Sequence, residues 1–257
     1  SKDLNIKIIS VLHNTPSFGL KFRYKHNITG KLKYYKNILK LAYSYRKVYK
    51  NSDLYILLSE SFISEFEKIS RLKNLKKIRL ISNPITIANE DFIYNFERKE
   101  KQIIFVGRLE YTQKRIERIL NVWGKIQSEY KDWELTIVGD GPDILRLKNI
   151  TENKNIQSVK FVGFQNPKSF YEKASILLLT SDYEGFPLTI TESMNFGVIP
   201  IVYGSYSAAY DIISDNYSGM ISKPNNGFDE EDFTNKLKML LSSVTKRKDF
   251  SLNALND

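Results

Sequence analysis

At 257 residues, with 42% hydrophobic and 26% charged content, the chain can bury a sizeable core as one large domain or two modest ones. Cys is absent and His occurs only at His13 and His26, which excludes a disulfide framework and a thiolate metal site and argues against a zinc centre. The formal charge is +10, no apolar run approaches the roughly 20 residues of a membrane span, and SKDLNIKIIS carries no secretory pattern, so a cytoplasmic protein is expected.

The charge is uneven. Residues 4–52 hold no Asp or Glu but carry Lys7, Lys21, Arg23, Lys25, Lys31, Lys33, Lys36, Lys40, Arg46, Lys47 and Lys50, eleven positive charges against a net +10 for the whole chain. Such a block suits either a solvated lysine-rich surface or an acidic partner: anionic lipid, nucleic acid or phosphate. Within it, IKIISVL at 6–12 reads as a strand and 31–50 as a helix. On that helix Leu32, Tyr35, Leu39 and Ala42 share one side, and Lys33, Lys36, Lys40 and Lys47 another. The apolar stripe is expected to face the core, and the lysines offer an anionic membrane surface a place to dock.

Strands follow at 54–59 (LYILLS) and 77–82 (KIRLIS), with a helical pattern at 61–70 between them. Residues 83–100 open on Asn-Pro, turn polar and lack a period, as a linker does. Beyond it, apolar runs at 102–107, 133–139, 159–163, 175–181 and 198–203 alternate with helical patterns near 114–130, 143–150, 167–173, 188–196, 206–213 and 229–242. Continuous apolar runs separated by helices predict an α/β, doubly wound, Rossmann-like parallel sheet. Residues 101–257 make a nearly complete domain of this kind, and 1–82 only a partial N-terminal one.

The chemistry lies at the ends of the later strands. In FVGRLEYTQKRIERIL, Arg108 follows a strand and Lys114 precedes a helix, a pair suited to clamping phosphate. In TIVGDGPDILRL, Ile144 stands where a dinucleotide fingerprint needs its third glycine, so a nicotinamide dehydrogenase is disfavoured, and no P-loop occurs. FVGFQNP ends a strand at Gly163-Phe164, either a plain turn or backbone groups for a nucleotide base. In TSDYEGFPLTITESMNFGVIP, Glu184 and Glu192 flank a Gly-Phe-Pro turn that leads into a helix start at 187 or 188. Free N–H groups there favour an anion, whereas carboxylates accept hydrogen bonds from sugar hydroxyls. A sugar nucleotide satisfies both.

Together these segments resemble the retaining glycosyltransferases of family 4, which have the GT-B fold. The resemblance is carried by FVGRL…QKRIERIL, LTIVGDGP, VKFVGF, ASILLLTSDYEGFPLTITESMNFGVIPIV and DNYSGMI, and runs from about 101 to 225 with a weaker echo over 6–84. It implies transfer of a sugar from a UDP-, GDP- or ADP-sugar to a glycan or lipid-linked acceptor, in bacterial surface polysaccharide synthesis, with no cofactor and no obligatory metal. It implies that Arg108 and Lys114 stabilise the diphosphate, Glu192 binds the ribose, and Glu184 meets the donor sugar. N–H groups around Phe186, Pro187 and Leu188, with Pro187 itself unable to donate, would surround sugar and phosphate, Gly163 and Phe164 would touch the base, and His13 would lie near the sugar. Arg115 departs from the pattern, since Gly often follows the lysine. The first strands and glycine-rich acceptor loop of the family, and its last crossing helix, have no counterpart here. A truncated, catalytically incomplete fragment, peripheral on the inner face of the cell membrane, is therefore one expectation. The alternatives are a sugar-nucleotide epimerase or hydrolase of the same fold and a basic nucleic-acid binder. No nucleic-acid module is visible, so nucleic acid is not an expected partner.

Overall fold

A computed structural model describes residues 6–18, 20, 28–87 and 89–257; Lys21, Arg23, Lys25 and His26 lie outside the described residues. The chain forms two compact units. The first takes residues up to Pro84 together with Glu184–Phe186 and Tyr206–Asp211, and the second takes Ile85–Tyr183, Pro187–Ser205 and Ile212–Asp257.

In the first unit, β1 (Ile9–Leu12), α1 (Ile28–Asn51), β2 (Leu54–Leu57), α2 (Ser61–Ser70) and β3 (Ile78–Leu80) follow in order. The strands make a parallel sheet, β1-β2-β3, with Ile9 opposite Leu54 and Tyr55 opposite Ile78. Its core is aromatic. The Phe66 ring lies 5.2 Å from that of Tyr45 and 4.9 Å from that of Tyr55. Tyr45 donates to the Pro16 carbonyl at 2.7 Å and Tyr49 to the Asn74 carbonyl at 3.0 Å, so both buried rings satisfy their polar ends.

This core corrects the expected orientation of α1. Ala42, Tyr45 and Tyr49 face inward, while Leu32, Tyr35 and Leu39 are 65%, 63% and 60% exposed. Tyrosines with carbonyl partners, rather than leucines, make the buried face. Hydropathy alone ranks those residues the other way.

The second unit opens with a 3-10 turn at Phe96–Arg98. It continues through β4 (Gln102–Val106), α3 (Ile116–Ile126), β5 (Glu134–Val138), α4 (Ile144–Asn153), β6 (Val159–Gly163), α5 (Lys168–Lys173) and β7 (Ile176–Leu179). Then come α6 (Leu188–Met194), β8 (Ile199–Tyr203), α7 (Ala208–Ile212, all but its last residue counted with the first unit), β9 (Met220–Ser222), α8 (Glu230–Ser242) and α9 (Val244–Asn256). The six strands are parallel in the order β6-β5-β4-β7-β8-β9. Counted within the unit this is 3-2-1-4-5-6, the Rossmann order. Every residue of β7 and β8 is buried, as their apolar runs require.

Two elements are absent from the sequence pattern. β9 is only three residues long. α9 buries Arg247, Ser251 and Ala254, which leave no apolar period. Polar contacts dock it instead. Arg247 donates to the carbonyls of Leu240 and Leu241 and lies 5.0 Å from the Trp133 ring centre, while Ser251 donates to the Gly197 carbonyl and accepts from Tyr94.

Lys99 is half-buried beside the Phe92 ring, and its Nζ donates to the Tyr171 carbonyl at 2.8 Å. Burial pushes its pKa down to about 7, against the pull of Glu172. The unfolded chain holds this proton up to the ordinary lysine value, the folded chain only to about 7. Stability therefore rises with pH between the two values, and the cost of burying the ammonium is fully present below pH 7. Lys99→Met is expected to remove a slope of at most about 1.4 kcal/mol per pH unit. Urea midpoints measured from pH 7 to 10 test this; parallel curves for both proteins would refute it.

Candidate functional site

A pocket of about 670 Å³ opens at the carboxyl ends of β4, β5 and β6, where Gly107, Arg108, Gly139, Asp140, Phe164 and Gln165 line it. Ligands of open parallel sheets bind at this end, beside the point where the crossovers diverge. The floor is backbone. Gly139 has φ 143°, and a Cβ there would sit 1.9 Å from the Gly107 carbonyl oxygen, so no other residue fits. Its N–H donates to the Gly163 carbonyl at 2.8 Å, and the Gly107 N–H to that of Val138 at 3.0 Å. Phe164, 88% exposed, gives the pocket an open apolar wall.

Both expected cations flank Gly107. Arg108 is its chain neighbour, exposed and only loosely paired with Glu110, Nε to Oε2 3.7 Å. Lys114 passes its Cε 3.7 Å from the position a Gly107 Cβ would occupy. Asp182 sets the loop that carries Lys114. Its N–H donates to the Gln113 carbonyl at 2.8 Å, and its carboxylate accepts from Arg115 at 3.0 Å and pairs with Arg118 at 2.7 Å. Gln113 Nε2 donates to the Tyr183 carbonyl, and the Thr180 hydroxyl to the carbonyls of Lys114 and Arg115. Arg118 lies 5.2 Å from the ring centre of Tyr203 and 5.0 Å from that of Phe228. The loop after β4 is thus stitched to the loop after β7.

Arg115 stands at φ 52°, ψ 43°, the left-handed region that a glycine enters without strain. It remains an arginine because its guanidinium also pairs with Glu117 at 2.6 Å and lies over the Tyr111 ring at 4.4 Å.

Pro187 is the cap of α6, and Leu188 its first residue. The Thr189 hydroxyl, in the first turn, is buried and has no hydrogen-bond partner among the described residues. Glu192, 5% exposed, accepts from the Thr86 hydroxyl on Oε1 and from Tyr171 at 3.4 Å on Oε2. Burial, and then the charge of Glu192, raise the Tyr171 pKa, so Tyr171 stays a donor. A carboxylate buried on neutral donors costs more than one paired with a cation, and it keeps lone pairs to spare.

In the first unit His13 is exposed at the end of β1. A Cβ on Gly185 would lie 2.2 Å from the His13 carbonyl oxygen, which ties Glu184–Phe186 to that strand end. Glu184 is 6% exposed, and its charge adds to burial in raising the Tyr206 pKa. Glu65 accepts from Thr15, Ser17 and Ser207 at 2.7, 3.1 and 2.9 Å.

The structure therefore gathers Arg108, Lys114, Gly163 and Phe164 at one pocket region, seats Glu192 within α6, and places His13, Glu184 and Phe186 in the other unit. Sequence reasoning missed Asp182, Arg118, Thr86 and Tyr171. Asp182 and Arg118 stood inside motifs read for other residues.

Comparison with known proteins places the chain in a family. The family model described as Glycosyl transferases group 1 matches residues 86–257. An alpha-1,4-N-acetyl-D-galactosaminyltransferase of Campylobacter jejuni, named for a PP-undecaprenol-linked GalNAc glycan, is 32% identical over 200 residues, 76% of this chain and 53% of the relative. The lipopolysaccharide 1,6-galactosyltransferase of Escherichia coli K12 is 29% identical over 154 residues, 57% of this chain and 42% of its own. Among solved structures, Anabaena HepE in complex with UDP-glucose superposes with a TM-score of 0.72 at 14% identity, covering 97% of this chain and 66% of that one. The chain spans about half the length of the curated relatives it matches.

Asp182→Ala leaves two half-buried guanidinium groups without their shared acceptor, and a loss of about 3 kcal/mol is expected in urea unfolding. Arg115→Gly and Arg115→Ala remove the same ion pairs, yet only alanine keeps the backbone strain. The glycine variant should be the more stable by about 1 kcal/mol, and equal stabilities would contradict the strain argument.

Proposed function

The chain belongs to the group 1 glycosyl transferases, and on that premise we propose that it moves a sugar, with retention, from a nucleotide-diphosphate sugar to a glycan or lipid-linked acceptor, as family 4 enzymes do. The observation that carries this is the pocket at the ends of β4–β6, bordered by Arg108 and by Lys114 beside Gly107. As the glycosidic bond breaks, negative charge grows on the leaving diphosphate. Arg108 and Lys114, the latter carried on the loop that Asp182 holds, stabilise that charge where it develops. With these two cations the reaction takes no obligatory metal and no cofactor.

The base sits between Phe164 and the Gly163 backbone. Glu192 uses its remaining lone pairs on the ribose hydroxyls, and the orphaned Thr189 hydroxyl and the N–H groups near Phe186, Pro187 and Leu188 serve the phosphate and sugar. Glu184 and His13 go to the donor sugar on the strength of the family resemblance. The UDP-glucose bound to HepE favours UDP over GDP or ADP. The PP-undecaprenol glycan in the name of the Campylobacter relative favours a lipid-linked acceptor, in cytoplasmic assembly of a surface polysaccharide.

Calorimetry with UDP-, GDP- and ADP-sugars tests the donor site. Arg108→Ala and Glu192→Ala should each weaken binding, and Arg108→Ala should cost about 100-fold in transfer rate. Unchanged donor affinity in both variants would overturn the assignment. Incubation with donor alone separates transfer from epimerase or hydrolase chemistry, and the anomeric configuration of the product, read by NMR, tests retention.

A further inference from the structure

Glu192 is buried, and both of its oxygens are engaged. The Thr86 hydroxyl donates to Oε1, and the Tyr171 hydroxyl donates to Oε2 at 3.4 Å. The donors come from different places, Thr86 from the segment before β4 and Tyr171 from α5. They also differ in what the bond does for them. Tyr171 is fully buried, so its hydroxyl needs a partner inside the protein. Thr86 is exposed, and water would satisfy its hydroxyl equally well. The Thr86 bond therefore serves the carboxylate rather than the threonine.

The last torsion of a glutamate is broad and two-fold, so a carboxylate left alone turns about it. One donor on each oxygen stops that turn and fixes the carboxylate plane. An ionised carboxylate offers about four lone-pair sites, so about two stay open, and the clamp sets where they point. The donors are themselves held. Three residues beyond Thr86, Asn89 Nδ2 donates at 2.9 Å to both the carbonyl and the Oδ1 of Asn195. Three further on, the Phe92 ring lies 4.9 Å from that of Phe196. The segment thus follows the chain of α6 residue by residue, and Thr86 is the point at which it reaches Glu192. Tyr171 packs on the same Phe196, ring centres 6.0 Å apart, and its carbonyl accepts from Lys99. Donors on fixed supports are what a preorganised binding carboxylate requires. On the reading of Glu192 as the ribose partner, we propose that Thr86 and Tyr171 are positioning residues, which clamp the Glu192 carboxylate in the orientation that accepts from the ribose hydroxyls of the donor nucleotide.

The test is calorimetry on the full chain with UDP, GDP and ADP, followed by comparison of the tightest binder with its 2′,3′-dideoxy counterpart. Thr86→Val and Tyr171→Phe should each weaken the ordinary nucleotide about tenfold, while Thr86→Ser, which keeps the hydroxyl, stays close to the parent. With the dideoxy nucleotide, which has no ribose hydroxyls to meet, parent and variants should bind alike. In a Glu192→Ala background, Thr86→Val should have no further effect. Because Thr86 is exposed and Tyr171 buried, the threonine variant decides the matter if the phenylalanine one does not fold. If Glu192→Ala weakens binding while Thr86→Val binds as the parent does, the clamp is wrong and the ribose reading stands. If Glu192→Ala itself binds as the parent does, or no nucleotide binds, both fall. A Thr86→Val loss of equal size on the ordinary and dideoxy nucleotides would show a merely structural role and overturn the proposal.

Discussion

Parallel strands cannot be joined by tight turns, so each connection must cross the sheet before the next strand begins. In the second unit the chain leaves β4 toward β5 and β6, then returns to lay β7, β8 and β9 on the other side. Two neighbouring strands thus send their carboxyl-end loops in opposite directions, and the sheet has an open seam between them. A seam of loops is soft unless something closes it. Asp182 does so with one backbone and one charged hydrogen bond to the loop after β4 and an ion pair to Arg118 of α3. The placement of Lys114, and with it the cationic side of the pocket, depends on that closure.

The unit treats its buried charges in different ways. Asp182 is surrounded by guanidinium groups that are themselves held by aromatic rings. Among the described residues Glu192 has hydroxyl donors only, Thr86 from the segment before β4 and Tyr171 from α5. Lys99 has a carbonyl and a ring. The first arrangement is what a structural ion pair requires. The second costs stability that a cation partner would have offset.

Much of this was readable from residue order. The apolar runs ending at Val106, Val138 and Leu179 located their strands, because strands covered on both faces need unbroken hydrophobicity. The placement of Arg108 and Lys114 beside Gly107 was readable because it depends on position relative to a strand end and a helix start. The Asp182–Arg118 pair was not, since it joins segments 64 positions apart and only the sheet order brings them together. α9 was hidden because serine, alanine and arginine fill its buried positions. On α1 the period was right and the facing wrong: tyrosines with carbonyl partners went inward and leucines outward.

Arg115 adds a historical dimension. At its left-handed position the Arg115 side chain meets Glu117, Asp182 and the Tyr111 ring, which offset the strain. In a lineage moving from glycine to arginine, the change costs less once the acids are present, since an arginine arriving before them would meet the strain without the partners. Once it is in place, losing either acid is penalised more than before its arrival. The position works as a ratchet, and the acceptability of a change at residue 182 depends on what already occupies residue 115.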